Sequence, residues 1–421
     1  AGVDLVRVVL RTRQWLGAVS EVGDHGRSTG GAPMMKRAIL AAVMLFVASP
    51  LAAQSIFNAA GLGLPSEPVD GKSRALGSLG VGLWGASLQP GDPASAGMLV
   101  APSAIMVAQP SWVEFDRNAG ETGSSQGNRF PLIGIGYPVF SGMFTLTFSS
   151  FLDQRFESER EVSYQLEGES GLATDVFEQD GAVSQVTFGY SKQILESAAV
   201  GFNVGRYAGS LTRRLSRDFG DVTDIGSIIP YQTGGFWSYS GASITGGFVT
   251  DLGAIARVSG SATWSGGLSA SASDDSDGTN KEFDLPLQYR IGASAVLAPG
   301  LRVAASMMRA DWSGIASDLA GAAAVGGTGG MGIGLELSRA RLLGTPAPLR
   351  LGYRKTDLPF AFGTSAGSES ILSTGFGLTL NETGGIVLAS ADLALERGTR
   401  TDSSLTEKFW RVTISLNISG Y

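Results

Sequence analysis

From Trp410 onward, apolar side chains fall on every second position: Trp410, Val412, Ile414, Leu416 and Ile418, with Arg411, Thr413, Ser415 and Asn417 between them. Successive side chains of a strand point to opposite faces, so this segment has one apolar and one polar face. The alternation recurs along most of the chain. Fourteen segments read as strands: 105–116, 129–138, 141–166, 181–192, 198–207, 236–250, 254–266, 283–297, 301–313, 329–340, 349–356, 371–381, 386–396 and 406–420. In one of them Phe283, Leu285, Leu287, Tyr289, Ile291, Ala293 and Ala295 share a face, and Asp284, Gln288, Arg290 and Ser294 take the other. In another, Leu372, Phe376, Leu378 and Leu380 alternate with Ser373, Gly375, Gly377 and Thr379.

The connections alternate in length as well. Short ones at 139–140, 193–197, 251–253, 298–300, 341–348 and 382–385 are interleaved with long ones at 117–128, 167–180, 208–235, 267–282, 314–328, 357–370 and 397–405. Short periplasmic turns, long external loops and an even strand number are the marks of an outer-membrane barrel. The fold class is therefore all-β, a transmembrane antiparallel β-barrel of about 14 strands. Counts of twelve and sixteen are also compatible, because 105–116 carries Pro110 and 198–207 alternates weakly.

Three segments precede the alternating region. Met34-Met35-Lys36-Arg37, the apolar run Ala38 to Val47 and Ser49-Pro50-Leu51-Ala52-Ala53 have the three-part layout of a signal peptide, 34–53, with cleavage expected after Ala53. Residues 1–33 stand ahead of it and read as a non-native N-terminal extension. Residues 54–104 are rich in Gly, Ala, Ser and Pro and do not alternate, yet they contain Ile56, Phe57, Leu62, Leu64, Leu79, Val81, Leu83 and Trp84. A free linker has no use for that apolar content. The segment is expected to be a plug or hatch inside the barrel, with the barrel itself at 105–421.

Composition narrows the chemistry. The 421 residues include 60 Gly, no Cys and one His, and only 16% are charged. The single His25 lies upstream of the expected mature start, which disfavours His-dependent hydrolysis and most transition-metal sites. No enzymatic activity, no cofactor and no metal site are expected. Residues 1–53 hold six of the 31 Lys and Arg and three of the 38 Asp and Glu, so the remainder carries a net charge of −10 and is not a nucleic-acid binder by electrostatics. The acidic run Asp274-Asp275-Ser276-Asp277-Gly278-Thr279-Asn280 lacks the distal Glu of a calcium loop and reads as a solvated external loop. Gly326-Gly327-Thr328-Gly329-Gly330 has no following Lys-Ser/Thr and is a flexible turn, not a phosphate-binding loop.

Several short motifs carry a resemblance. Phe57 with Gly61-Leu62-Gly63, Arg74-Ala75-Leu76-Gly77 with Gly80, and Gly91-Asp92-Pro93-Ala94 resemble the N-terminal signature of the FadL-like long-chain fatty acid outer-membrane transporter family, although Ala101-Pro102-Ser103 stands where Asn-Pro-Ala is expected. The segments 348–354, 391–398 and Glu407 with Trp410-Arg411 are similar to FadL-like and PorV-like barrels. The resemblance implies a fourteen-stranded barrel closed by an N-terminal hatch. It further implies hydrophobic molecules that enter from outside, bind in an apolar pocket and leave sideways or inward when the hatch shifts.

The inward faces are expected to carry Arg257, Arg290, Glu336, Arg350, Arg354, Asp392, Glu396 and Arg411, as lumen-filling ion pairs or as partners for a ligand carboxylate. The hatch candidates are Phe57, Leu62, Arg74, Leu79 and Trp84. Trp112, Trp237, Trp264, Trp312 and Trp410 lie toward strand ends and are assigned to the membrane interface. The terminal Tyr421 falls on the opposite parity to Ile418. The leading expectation is an outer-membrane channel, in a Gram-negative cell, for fatty-acid-like or aromatic molecules. The alternatives are a non-transporting scaffold that docks secreted or surface proteins, and a general porin. Expected partners are membrane lipid and lipopolysaccharide, a hydrophobic ligand and a periplasmic or secretion partner, with the barrel a monomer.

Overall fold

The computed structural model describes residues 55–117, 122–166, 169–219, 231–274, 276, 278–319, 324–342 and 344–420. The signal peptide and the extension before it, Asp275 and Asp277 of the acidic loop and the terminal Tyr421 lie outside the described residues.

Fourteen antiparallel strands make one wall: β1 (Ser103–Arg117), β2 (Thr122–Val139), β3 (Gly142–Asp153, resuming at Phe156–Leu166), β4 (Glu169–Leu195), β5 (Ala198–Asp218), β6 (Tyr231–Leu252), β7 (Ala256–Ser265 and Gly267–Ala272), β8 (Lys281–Asp284 and Gln288–Ala298), β9 (Leu301–Asp311), β10 (Gly327–Leu337), β11 (Leu349–Asp357), β12 (Ser368–Thr383), β13 (Ile386–Thr401) and β14 (Leu405–Ser419). Each pairs with the next, and β14 pairs with β1 from Ser103↔Ser419 to Arg117↔Leu405, which closes the barrel and removes the free sheet edges. All fourteen expected segments fall on these strands. Pro110 is tolerated because the β1–β2 register shifts beside it, between Val107 and Gln109.

Burial sorts the two faces. Phe144, Phe148, Phe188, Phe202, Ile244, Ile291, Ile333, Leu351 and Trp410 are exposed on the outside, whereas Thr145, Thr147, Thr187, Asn203, Ser373, Arg411 and Thr413 are buried on the inside. Apolar outside and polar inside is the arrangement of a barrel solvated by lipid. No helix among the described residues is long and apolar enough to cross a membrane.

Two expectations are corrected. The polar stretches 122–128, 169–180, 208–218 and 231–235, read as loop, are strand that extends the β1–β2 and β3–β6 ladders. Above a membrane both faces of a strand meet water, so alternation is not required there and its absence does not mean loop. Second, the apolar face expected to run from Phe283 to Ala295 is split. Phe283 and Leu285 are buried inside, while Leu287, Tyr289 and Ile291 are exposed outside. Pro286 has no N–H to give the ladder, and β8 breaks there and resumes on the other parity.

Candidate luminal site

Residues 55–102 run inside the wall. They contain little regular structure: a short turn at Ile56–Ala59, a two-residue strand at Leu64–Pro65, the five-residue helix α1 (Gly71–Ala75) capped by the Asp70 carboxylate on Ser73 N, and a turn at Pro93–Met98. A buried irregular backbone must find partners outside itself, and here the wall supplies them. Gly71 N donates to Ser415 Oγ at 3.1 Å, Leu79 N to Ser306 Oγ at 3.0 Å and Gly82 N to Ser259 Oγ at 2.6 Å. In the other direction Ser373 Oγ donates to Ala75 O, Ser261 Oγ to Gly91 O and Asn203 Nδ2 to Pro90 O.

Close approach is set by glycines of the wall. A Cβ at Gly332 would overlap the Gly77 carbonyl, and one at Gly334 or Gly352 would overlap Leu76. Gly77 itself has φ +60°, which favours glycine. This track was not recognised from sequence. Its signal was present: Gly330, Gly332 and Gly334 occupy three successive inward positions of a strand whose outward positions there are Met331, Ile333 and Leu335.

The expected hatch residues Phe57, Leu62, Arg74 and Leu79 are all buried. Trp84 is half-buried, with the guanidinium carbons of Arg257 and Arg302 at 5.3 and 5.8 Å from its ring. The expected luminal charges also face inward, and every one is paired. Glu336 bridges Arg302 (3.1 Å) and Arg350 (2.9 Å), and Arg350 continues to Asp392 at 2.5 Å. Glu396, fully buried, takes Arg411 at 2.7 Å, Arg354 at 3.2 Å and Arg74 of the inner segment at 4.0 Å. Arg257 pairs with Asp251 at 2.6 Å and also donates to Gly85 O at 2.6 Å.

Sequence reasoning missed several members of these networks. Glu67 of the inner segment is one, pairing at 3.0 Å with the expected Arg290. Arg400 joins Glu369 (2.7 Å) to Glu407 (3.3 Å), and Glu407 accepts from Ser55 Oγ and Ile56 N. Lys72 donates to the Trp84 carbonyl, and burial pulls its ammonium below the usual lysine value against Glu336, Asp392 and Asp70. Asp92 is buried, its Oδ2 accepting from Ser259 Oγ at 3.1 Å; burial pushes its carboxyl up to about 7.

An apolar and aromatic cluster occupies the loop-side half of the lumen. Tyr207, Tyr239, Leu268, Phe283, Leu285, Trp312, Ile315 and Phe360 pack with Ala60 and Leu62 of the inner segment, and Phe151 and Trp237 flank them. Trp312 is therefore luminal, edge-on to Phe360 at 5.5 Å, and Trp237 points inward as well. Trp112, Trp264 and Trp410 are exposed on the outside, as the interface assignment requires. Trp312 went inside because it begins a short turn, Trp312–Ile315, that folds back into the barrel mouth.

Two small cavities lie between the inner segment and the wall, of about 70 and about 60 Å³, and Pro65, Glu67, Gln288 and Trp312 line both. The first adds Arg74, Arg129, Arg354, Arg400 and Arg411; the second adds Phe151 and Tyr207. The arrangement can hold a compact apolar body against the aromatic rings with a polar group toward the arginines. Beside it the wall is interrupted. The β2–β3 ladder ends at Leu132↔Ser149, and Leu152 and Asp153 of β3 pair instead with Pro65 and Leu64. Gly63, at φ +85°, permits that contact because a Cβ there would overlap the Asp153 carbonyl.

No family model and no curated protein sequence matches the chain. Solved structures do. The toluene transporter TbuX of Ralstonia pickettii is 16% identical, with 84% of this chain and 99% of that one covered and a TM-score of 0.54. A FadL homologue of Pseudomonas aeruginosa is 11% identical over 85% and 100% of the two chains, at 0.59. The toluene transporter TodX of Pseudomonas putida is 13% identical over 84% and 99%, at 0.51. At such identities the likeness is one of architecture, and the fold is that of the FadL-type transporters.

Proposed function

We propose that this chain is an outer-membrane channel for the uptake of hydrophobic small molecules through a barrel closed by a hatch, residues 55–102. The observation that carries the reading is the pair of adjoining cavities at Gln288 and Trp312, set below the aromatic cluster and beside the interrupted β2–β3 ladder. A dry cavity of about 150 Å³ holds one benzene. Each of the two cavities, at about 70 and about 60 Å³, is under half that size, so a compact aromatic molecule needs the two to merge around Gln288 and Trp312, and a fatty acyl chain requires the hatch to move further. The ligand passes the aromatic cluster, rests in the cavities and leaves sideways where the ladder is open or inward past the hatch. The similar structures titled as toluene transporters support the same ligand class. Reconstituted protein should bind toluene saturably and speed its passage into liposomes. Absence of both binding and passage, for toluene and for long-chain fatty acids alike, refutes the proposal.

The scaffold reading has one observation in its favour: the hatch is pinned by ion pairs and by wall serines, and the cavities are small. Co-purification of a stoichiometric protein partner, together with no uptake, would establish it. A general porin is disfavoured by the filled lumen, and the reconstituted barrel should show low ionic conductance.

A further inference from the structure

The lipid-facing wall has a hollow of its own. Outward positions on β6 to β9 line up in two rows, set by the ladder registers: Gly246↔Ala262, Ala262↔Tyr289 and Tyr289↔Arg309 above, Phe248↔Gly260, Gly260↔Ile291 and Ile291↔Met307 below. Three of these positions, Gly246, Gly260 and Ala262, are small, in a band where the neighbours are large and exposed. A Cβ added at Gly246 would meet nothing within 4 Å. The result is a groove of about 530 Å³ on the outside of the barrel, within the range of pockets that hold a ligand.

The rim of this groove is chemically uneven. Its upper edge carries Trp264, Tyr289 and Arg309, all exposed. Arg309 lies on the loop side, three residues before Trp312 opens the connection after β9. It forms no hydrogen bond or ion pair among the described residues. The nearest acid on its strand, Asp311, caps Ser313 N at 3.1 Å and feels the Arg309 charge without forming an ion pair with it. An exposed guanidinium free of ion pairs among the described residues, above an apolar trough and with aromatic side chains at the same height, is complementary to a phosphate above an acyl chain.

We infer that this groove is a seat for one phosphorylated glycolipid of the outer leaflet, an acyl chain lying over Gly246 and Ala262 beside the Phe248 ring that covers Gly260, and a phosphate on Arg309. The inference rests on the membrane setting proposed above, but not on transport. Gly246 and Ala262 keep the trough open, Gly260 lets the Phe248 ring lie flat against the wall, and the chain fills space that loosely ordered lipid would leave poorly packed.

The test is native mass spectrometry of the detergent-solubilised full-length protein titrated with a bis-phosphorylated, acylated glucosamine disaccharide, its dephosphorylated form and phosphatidylglycerol. One saturable glycolipid is expected. Removing the phosphates, or Arg309→Gln, should weaken binding by roughly fivefold, the effect of one cation at an anionic lipid surface. Gly246→Phe, which fills the trough from an open position, should abolish saturable binding. Toluene uptake by both variants should stay at the wild-type level, which separates failure of this site from failure of the channel. Glycolipid binding unchanged in both variants overturns the inference. So does equal retention of phosphatidylglycerol, or a dimer that Gly246→Phe dissociates, which would make the groove an interface between copies.

Discussion

Asp92 gives the hatch a testable dependence on pH. Its carboxyl is buried, Oδ2 accepts from Ser259 Oγ at 3.1 Å, and Oδ1 has no partner among the described residues. Burial raises the pKa from 3.8 to about 7, against the opposing pull of Ser259, Ser95, Arg257 and Arg290. In a released hatch the same carboxyl titrates near 3.8. The packed state has the higher pKa, so it binds more protons between those values. Its contribution to holding the hatch is full below pH 3.8, declines as pH rises and is lost above about 7. The interval of roughly three pH units corresponds to about 4 kcal/mol at most. Between pH 5 and pH 8 the packed-to-released ratio should fall by on the order of 100-fold.

The chain has no cysteine, so Ala96→Cys places a sole thiol in the buried turn after Asp92. Its alkylation rate reports hatch release, once corrected for thiol ionisation with an exposed single-cysteine control. The rate should climb steeply from pH 5 to pH 8 with Asp92 in place. Asp92→Asn keeps an acceptor for Ser259 and cannot ionise, so its profile should be flat over the same range. Parallel profiles for the two proteins would show that Asp92 does not govern the hatch.

Glu396→Gln leaves Arg74, Arg354 and Arg411 around a neutral amide; breaking a buried pair from one side costs about 3–5 kcal/mol, and the temperature at which the folded barrel loses its compact migration in detergent gels should drop measurably. Gly332→Val sets methyl groups into the Gly77 carbonyl, so the wall should still fold while protease reaches the hatch and single-channel conductance rises. Trp312→Ala removes an indole shared by both cavities; saturable binding should extend from toluene to two-ring aromatics, with a stability loss of roughly 3 kcal/mol, and unchanged selectivity would place the binding site elsewhere.

What could be read in advance divides along the membrane boundary. Between the lipid and the lumen the two faces of a strand meet opposite solvents, and the alternation around Trp410 or Tyr289 reported this directly. Outside that slab it failed. Glu369 fell in the expected loop 357–370, and Arg400 in 397–405; both are strand residues facing inward on β12 and β13. Phe409 broke the rule from the other side. It is apolar yet fully buried inside, because the guanidinium carbons of Arg400 and Arg411 lie over its ring at 4.3 and 5.0 Å. Trp312 and Phe283 misled for a related reason: the loop-side half of the lumen is apolar, so inward no longer means polar. The charges Arg257, Arg290, Glu336, Arg350, Arg354, Asp392 and Arg411 were legible as inward, but their partners were not, since pairing across strands depends on registers that a single sequence does not state.

The inner face of the wall then has a logic beyond solvation. A barrel built only to hold water could carry any small polar residues there. This one places serine hydroxyls at Ser259, Ser306, Ser373 and Ser415 where the hatch backbone needs partners, and glycines at Gly332, Gly334 and Gly352 where it comes closest. The hatch residues that meet them, Gly71, Ala75, Leu76, Gly77, Leu79 and Gly82, are mostly small and belong to a segment with only one short helix. Such a segment cannot satisfy its own backbone, so its conformation is dictated by the wall. Release of the hatch consequently exposes unpaired groups on both surfaces at once, and water or ligand must be present to take them. Opening is thereby coupled to solvation of the lumen, and Asp92, which prefers to be charged only when wet, sits at that junction.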